Sequence, residues 1–129
     1  MRFHHVAMAA TDIEDTLLAL SVPGPVTPLT DVVFDPEQGV RLQLVDVGGL
    51  QMELVEDAGD GPVAGWLNRG FKLYHICYEV DDLDQALEDA RQNGSVVVSY
   101  PKPAVLFDGR RVAFAMDRIR GLVEFLEKG

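Results

Sequence analysis

The sequence predicts an α+β fold: paired βαβββ modules whose strands form a curled mixed sheet around a metal-binding cleft. Three observations predict it. Residues 1–66 repeat in residues 71–129, each copy alternates strand-like and helix-like patterns in the same order, and each carries one histidine and one glutamate at matching strand positions.

The repeat sets the frame for the elements. His5-Val6-Ala7-Met8-Ala9-Ala10-Thr11-Asp12-Ile13 lies over His75-Ile76-Cys77-Tyr78-Glu79-Val80-Asp81-Asp82-Leu83 at an offset of 70, and Leu50-Gln51-Met52-Glu53-Leu54-Val55-Glu56 lies over Gly121-Leu122-Val123-Glu124-Phe125-Leu126-Glu127 at an offset of 71. One single-residue insertion therefore separates two parallel copies, which read as one domain with modules over about 1–66 and 71–129.

Taken in order, residues 3–9 form a β-rich run that ends in Thr11-Asp12, residues suited to capping a helix. A short helix over about 12–20 stops at Pro23-Gly24-Pro25. Strands follow over 32–34, 40–47 and 50–55, the last two joined by a Gly48-Gly49 hairpin turn. Residues 56–70 form the connector, with one helical turn starting at Pro62 and Trp66 plugging the edge of the core. The second module opens with a strand over 73–80. Leu83, Ala86, Leu87 and Ala90 then recur at helical spacing, between a cap at Asp81 or Asp82 and a stop at Asn93-Gly94. Apolar runs over 96–99, 111–116 and 122–126 supply its last three strands.

Composition narrows the class of partner. The chain has 129 residues, 47% hydrophobic and 25% charged, which is the balance of a packed globular domain. Its net charge of −10 opposes binding to nucleic acid or to anionic membranes. One cysteine excludes an intrachain disulfide, and with no signal-like start and no long apolar stretch the expected location is the cytoplasm. The charge is uneven: residues 1–66 hold two basic against eleven acidic side chains, residues 67–129 nine against ten. Lys72, Lys102, Arg110 and Arg111 would therefore meet an anionic ligand if any residues do, unless they balance the surface acids.

The chemistry-bearing residues follow from strand alternation. His5 shares a face with Phe3 and Ala7, and His75 with Leu73 and Cys77; Glu53 and Glu124 lie in apolar strands. A charged group there is costly to bury unless it is paired or bound to metal. If the modules are related by a pseudo-twofold, His5, Glu53, His75 and Glu124 supply two imidazoles and two carboxylates to one divalent cation such as Co, Ni, Mn, Zn or Fe(II), with positions left for substrate oxygens. His4 faces the other way, and Cys77 reads as a small buried hydrophobe.

These features resemble the vicinal oxygen chelate superfamily, which includes glyoxalase I, methylmalonyl-CoA epimerase, extradiol dioxygenases and the fosfomycin- and bleomycin-resistance proteins. The resemblance is carried by His4-His5-Val6-Ala7, Pro36-Glu37-Gln38-Gly39-Val40, Met52-Glu53-Leu54-Val55-Glu56, Pro62-Val63-Ala64-Gly65-Trp66-Leu67, the segment from Tyr74 to Leu83, and Leu122-Val123-Glu124-Phe125. It covers essentially the whole chain and is nearest the methylmalonyl-CoA epimerase and glyoxalase-like branch. It implies metal ligands at His5, Glu53, His75 and Glu124, with Glu124 as a proton-transferring carboxylate, and it implies a homodimer; Glu53, the counterpart of Glu124 in the repeat, is then the opposing base.

Three departures mark this chain off from the branch. The first helix runs into Ser21-Val22-Pro23 without the usual aromatic pair, Arg41, Leu42 and Gln43 stand where some epimerases resemble one another in carrying a second glutamate, and Tyr74 replaces the first of two adjacent histidines. The expected activity is removal of a proton next to a carbonyl, on a small-molecule acyl thioester or related carbonyl compound, with methylmalonyl-CoA epimerase leading. A glyoxalase I-like lyase acting on a hemithioacetal is the first alternative. A non-catalytic drug-binding protein is the second, and four retained ligands weigh against it. Glu53 as a fourth ligand also disfavours dioxygenase chemistry, because it occupies a position that O2 or a catechol would use.

Overall fold

Among the described residues, nine strands and three helices follow one another as β1 (Arg2–Ala10), α1 (Ile13–Leu20), β2 (Thr27–Pro28), β3 (Val33–Asp35), β4 (Val40–Val47), β5 (Leu50–Asp57), α2 (Val63–Asn68), β6 (Leu73–Val80), α3 (Leu83–Gln92), β7 (Val96–Pro103), β8 (Arg111–Asp117) and β9 (Gly121–Glu127), with a 3-10 turn at Val105–Phe107. This α+β arrangement comes from a computed structural model that describes residues 1–129 apart from 60, 62 and 71. The chain divides into two compact units, one of His5–Tyr74 and one of Met1–His4 with His75–Gly129.

In the first unit the strand order is β2-β4-β5-β1, with β3 also on β4. β1 runs parallel to β5, and β4 antiparallel to β5. α1 starts where expected because the Asp12 carboxylate accepts a hydrogen bond from the Asp15 N–H at 2.9 Å. It lays Ile13 on Val45, Met52 and Leu54. Gly48 and Gly49 both have positive φ, +62° and +95°, which a two-residue turn between Val47 and Leu50 requires. The pair Thr27–Pro28 adds a two-residue strand that the sequence pattern does not signal. The expected start of the connector helix, Pro62, lies outside the described residues; the helix itself occupies Val63–Asn68, with the Asp57 carboxylate accepting from the Val63 and Ala64 N–H groups.

In the second unit the order is β6-β9-β8-β7, with β6 parallel to β9 and the other pairs antiparallel. Asp82 is the cap of α3, accepting from the Gln85 N–H at 2.9 Å, and Asn93-Gly94 ends it, with Gly94 at φ +91°. Leu83 and Leu87 pack against Ala113, Ala115, Val123 and Phe125. Two buried leucines contribute about 1.5–3 kcal/mol each in apolar transfer. β7 and β8 begin where expected and β9 one residue earlier, but β7 runs on to Pro103. Prolines 101 and 103 hide that extension, because proline donates no ladder hydrogen bond and is tolerated only at sheet edges and bulges. Among the described residues no helix is long and apolar enough to cross a membrane.

Candidate metal-binding half-sites

Each unit holds one buried histidine beside one buried glutamate. In the first, Ala7 on β1 is the register partner of Glu53 on β5, and His5 stands two residues back on the same face. The small Ala7 leaves room for the imidazole to lean over, and His5 Nε2 lies 3.7 Å from Glu53 Oε2. In the second, Cys77 is the partner of Glu124, His75 stands two residues back, and His75 Nε2 lies 3.2 Å from Glu124 Oε1. The registers are the same once the offsets of the sequence repeat are applied. All four residues are buried, none more than 5% exposed. A carboxylate sunk this deep is stabilised by a hydrogen-bonding partner or a cation, and in each unit an imidazole nitrogen stands within 4 Å of it.

The walls of the two pairs differ. Leu44 is the cross-strand neighbour of Glu53, and Phe114 that of Glu124. The Phe114 ring meets the His75 ring edge to face, 5.1 Å between centroids, and so limits its rotation. Phe114 is a contributor that sequence analysis does not single out, since its place beside His75 depends on a strand register.

His4 is half-buried and meets Phe107 edge to face at 5.3 Å, on the face opposite His5 as expected. Cys77 is fully buried. Trp66 packs edge to face on Tyr74 at 5.6 Å with the Arg69 guanidinium 5.0 Å from its ring, a packed arrangement that fits a plug. Arg110 and Arg111 balance acids: Arg110 pairs with Glu79 at 2.8 Å and Arg111 with Glu127 at 2.8 Å. The Arg110 hydrogen bond pulls Glu79 below the usual carboxylate range, and the Arg111 bonds do the same to Glu127. Gln43, the last of the three residues at the position of the missing second glutamate, has its side chain on the α1 face of β4, donating to the Thr30 carbonyl at 3.0 Å.

The model of the Glyoxalase/Bleomycin resistance protein/Dioxygenase superfamily matches residues 4–114. The mitochondrial methylmalonyl-CoA epimerase of Bos taurus is 35% identical over 107 residues, 76% of this chain and 57% of that protein. The ethylmalonyl-CoA/methylmalonyl-CoA epimerase of Cereibacter sphaeroides is 30% identical, over 88% of this chain and 86% of that protein. The chain thus spans little more than half the length of the mammalian relatives it matches. A variant of Streptomyces coelicolor methylmalonyl-CoA epimerase, solved in complex with 2-nitronate-propionyl-CoA, superposes with a TM-score of 0.81 at 26% identity, over 100% of this chain and 95% of that one. A hypothetical protein of Bacillus halodurans superposes with a TM-score of 0.84 at 27% identity, over 99% and 94%. On the family match and the Cereibacter relative, this chain belongs to the Glyoxalase/Bleomycin resistance protein/Dioxygenase superfamily.

Proposed function

We propose that this protein is a divalent-metal-dependent epimerase that removes and returns the proton next to the thioester carbonyl of a 2-substituted malonyl-CoA, methylmalonyl-CoA first among them. The observation that carries the proposal is the recurrence of a buried His–Glu pair at one strand register in both modules, in a chain similar to epimerases of that substrate class. His5, Glu53, His75 and Glu124 would hold the ion; each offers a ligand nitrogen or oxygen, and two neutral imidazoles with two carboxylates suit a divalent cation of the Co, Ni, Mn, Zn or Fe group. Such an ion, when bound, draws charge from a carbonyl oxygen and so acidifies the neighbouring C–H.

The protein's own groups do the rest. Glu124 takes the proton, with Phe114, Leu122 and Leu126 on its face keeping water from the carboxylate. Glu53, its counterpart in the first module, returns one from the other side of the carbon. Positions 41 to 43 are Arg, Leu and Gln, so none of the three is a carboxylate that could act in its place. The chain works as one domain, assembles as a homodimer and resides in the cytoplasm; light scattering at micromolar concentration tests the dimer. A second reading, a glyoxalase I-like lyase on a hemithioacetal, draws on the same two glutamates.

The test is incubation of metal-loaded protein in D2O with methylmalonyl-CoA and, separately, with hemithioacetals of 2-oxoaldehydes. Deuterium entering the carbon next to the thioester carbonyl is the expected result. Turnover of hemithioacetals alone would move the assignment to the lyase, and exchange in neither would remove proton abstraction altogether.

A further inference from the structure

β7 departs from the period of a regular strand, and the departure orders its side chains. Val97 is the partner of Ala115 and packs with α3, but Ser99 is the partner of Phe114, so Val98 is an extra residue in the ladder. A second shift falls between Ser99 and Lys102, which is the partner of Val112. Val96 opposite Met116, Ser99 opposite Phe114 and Lys102 opposite Val112 therefore stand on one face at three-residue spacing, where a regular strand would alternate every two. That face carries Leu122, Glu124 and Leu126 on β9 and His75 on β6. The two extra residues also carry Lys102 two positions along β8; in the register of Val96 it would stand opposite Arg110.

Charge singles out the last of the three. Arg91, Arg110, Arg111, Arg120 and Lys128 each meet a carboxylate, whereas Lys102, like Lys72 and Arg118, is exposed and makes no ion pair among the described residues. Lys102 thus stands on the His75–Glu124 face as an uncommitted cation in a protein of net charge −10. Two strand spacings and one two-residue step separate Lys102 from Glu124, about 12 Å between Cα atoms before the lysine stem adds its reach. The two Cα atoms stand further apart than the acyl substituent of a malonyl thioester measures, and the lysine stem sets how much of that span its ammonium covers.

We propose that Val96, Ser99 and Lys102 form the carrier wall of the site, with Lys102 binding a phosphate of the CoA moiety while the acyl group lies at Glu124. The wall rests on the acyl-CoA reading above, and it explains how so acidic a protein accepts a polyanionic thioester: the bulges deliver a lysine to the face where the anion lies.

The test uses metal-loaded full-length protein and two probes, CoA and pantetheine, titrated by calorimetry against the parent, Lys102→Ala, Lys102→Arg and, as a control on an exposed cation elsewhere, Lys128→Ala. Lys102→Ala should weaken CoA about 5- to 10-fold and leave pantetheine unchanged. Lys102→Arg should restore CoA, and Lys128→Ala should match the parent. In turnover, Lys102→Ala should raise KM for methylmalonyl-CoA without lowering kcat, and should leave KM for the N-acetylcysteamine thioester of the same acid unchanged. Equal CoA affinity in parent and Lys102→Ala overturns the wall, as does an equal rise in KM for both thioesters, which would place the acyl carboxylate at the lysine. Lysine-dependent CoA binding with no deuterium exchange would sink the epimerase reading and keep the wall; exchange with no dependence on Lys102 would do the reverse.

Discussion

In the first module Ala7 stands beside Glu53 and Leu44 lies across from it; in the second, Cys77 and Phe114 occupy those two places around Glu124. The backbone registers of the two parallel pairs are the same, yet the imidazole nitrogen lies 3.7 Å from its carboxylate in one and 3.2 Å in the other, and the Phe114 ring meets that of His75 edge to face. Ladder hydrogen bonds fix where a side chain leaves a strand, and the neighbours on its face decide how tightly it is then held. A duplicated module can therefore keep two equivalent His–Glu positions while their surroundings diverge, and that divergence is what the proposed division of proton work between the two carboxylates rests on.

The sharpest way to break that division is to disable one carboxylate at a time. Glu124→Gln keeps a ligand oxygen and removes the base, so exchange should fall by about 10²- to 10⁴-fold with metal retained. Glu53→Gln should do the same for exchange begun from the opposite enantiomer. Deuterium uptake from each enantiomer, followed by NMR, checks both. Parent-rate exchange in Glu124→Gln with metal bound would send the search for the base elsewhere. The ligand roles should be symmetric where the base roles are not. His5→Ala and His75→Ala should each lose the bound ion, about one per chain in the parent, by more than the roughly 10- to 100-fold that an outer-shell partner is worth. Metal analysis after dialysis measures it, and full retention in both variants would remove the metal assignment.

Both His–Glu pairs were legible in the sequence because period-2 alternation and a fixed offset suffice to align a histidine with a histidine and a glutamate with a glutamate. The helix limits were legible too, since Asp12 and Asp82 cap, and Asn93-Gly94 stops, by local hydrogen bonding alone. What was not legible depends on pairing between distant segments. Thr27–Pro28 becomes a strand only because β4 is there to receive it, and the face of Ser99 reverses only because Val98 is accommodated as a bulge. Phe114 meets His75 across β9, a contact no periodicity predicts.

The helices offer a second contrast. α1 rests on a single buried residue, Ile13, while α3 buries Leu83 and Leu87. Ile13→Ala and Leu87→Ala each empty a core position and should cost about 2–5 kcal/mol, with Ile13→Ala nearer the upper end because α1 has no second buried anchor. Denaturant unfolding monitored by circular dichroism gives both values. A smaller loss from Ile13→Ala would mean that the half-buried Leu17 and Leu20 carry α1 instead.

The mildest contrast is one of charge. Arg41 with Glu56 and Arg111 with Glu127 are the same cross-strand pair in the two modules, with 2.8 Å contacts in both. Burial raises the Glu56 carboxyl above its ordinary value of 4.5, Arg41 opposing it and Asp12 and Glu14 adding to it. The fork of Arg111 bonds lowers Glu127 below the same value, aided by the Arg111 N–H. The signs for stability are opposite. Glu56, raised on folding, favours the folded state most at low pH, and that contribution is lost as pH rises through its folded pKa. Glu127, lowered on folding, contributes above its unfolded pKa, and that contribution is lost as pH falls through the folded one. A carboxyl NMR titration should therefore place the Glu56 midpoint above 4.5 and the Glu127 midpoint below it. Arg111→Gln should move Glu127 upward, towards the Glu56 value, because the guanidinium fork is what holds it down, while burial and the Asp12 and Glu14 carboxylates still raise Glu56. If the two midpoints coincided in the parent protein, the fork would be no stronger than the single bond from Arg41, and the modules would be electrostatic copies at this position.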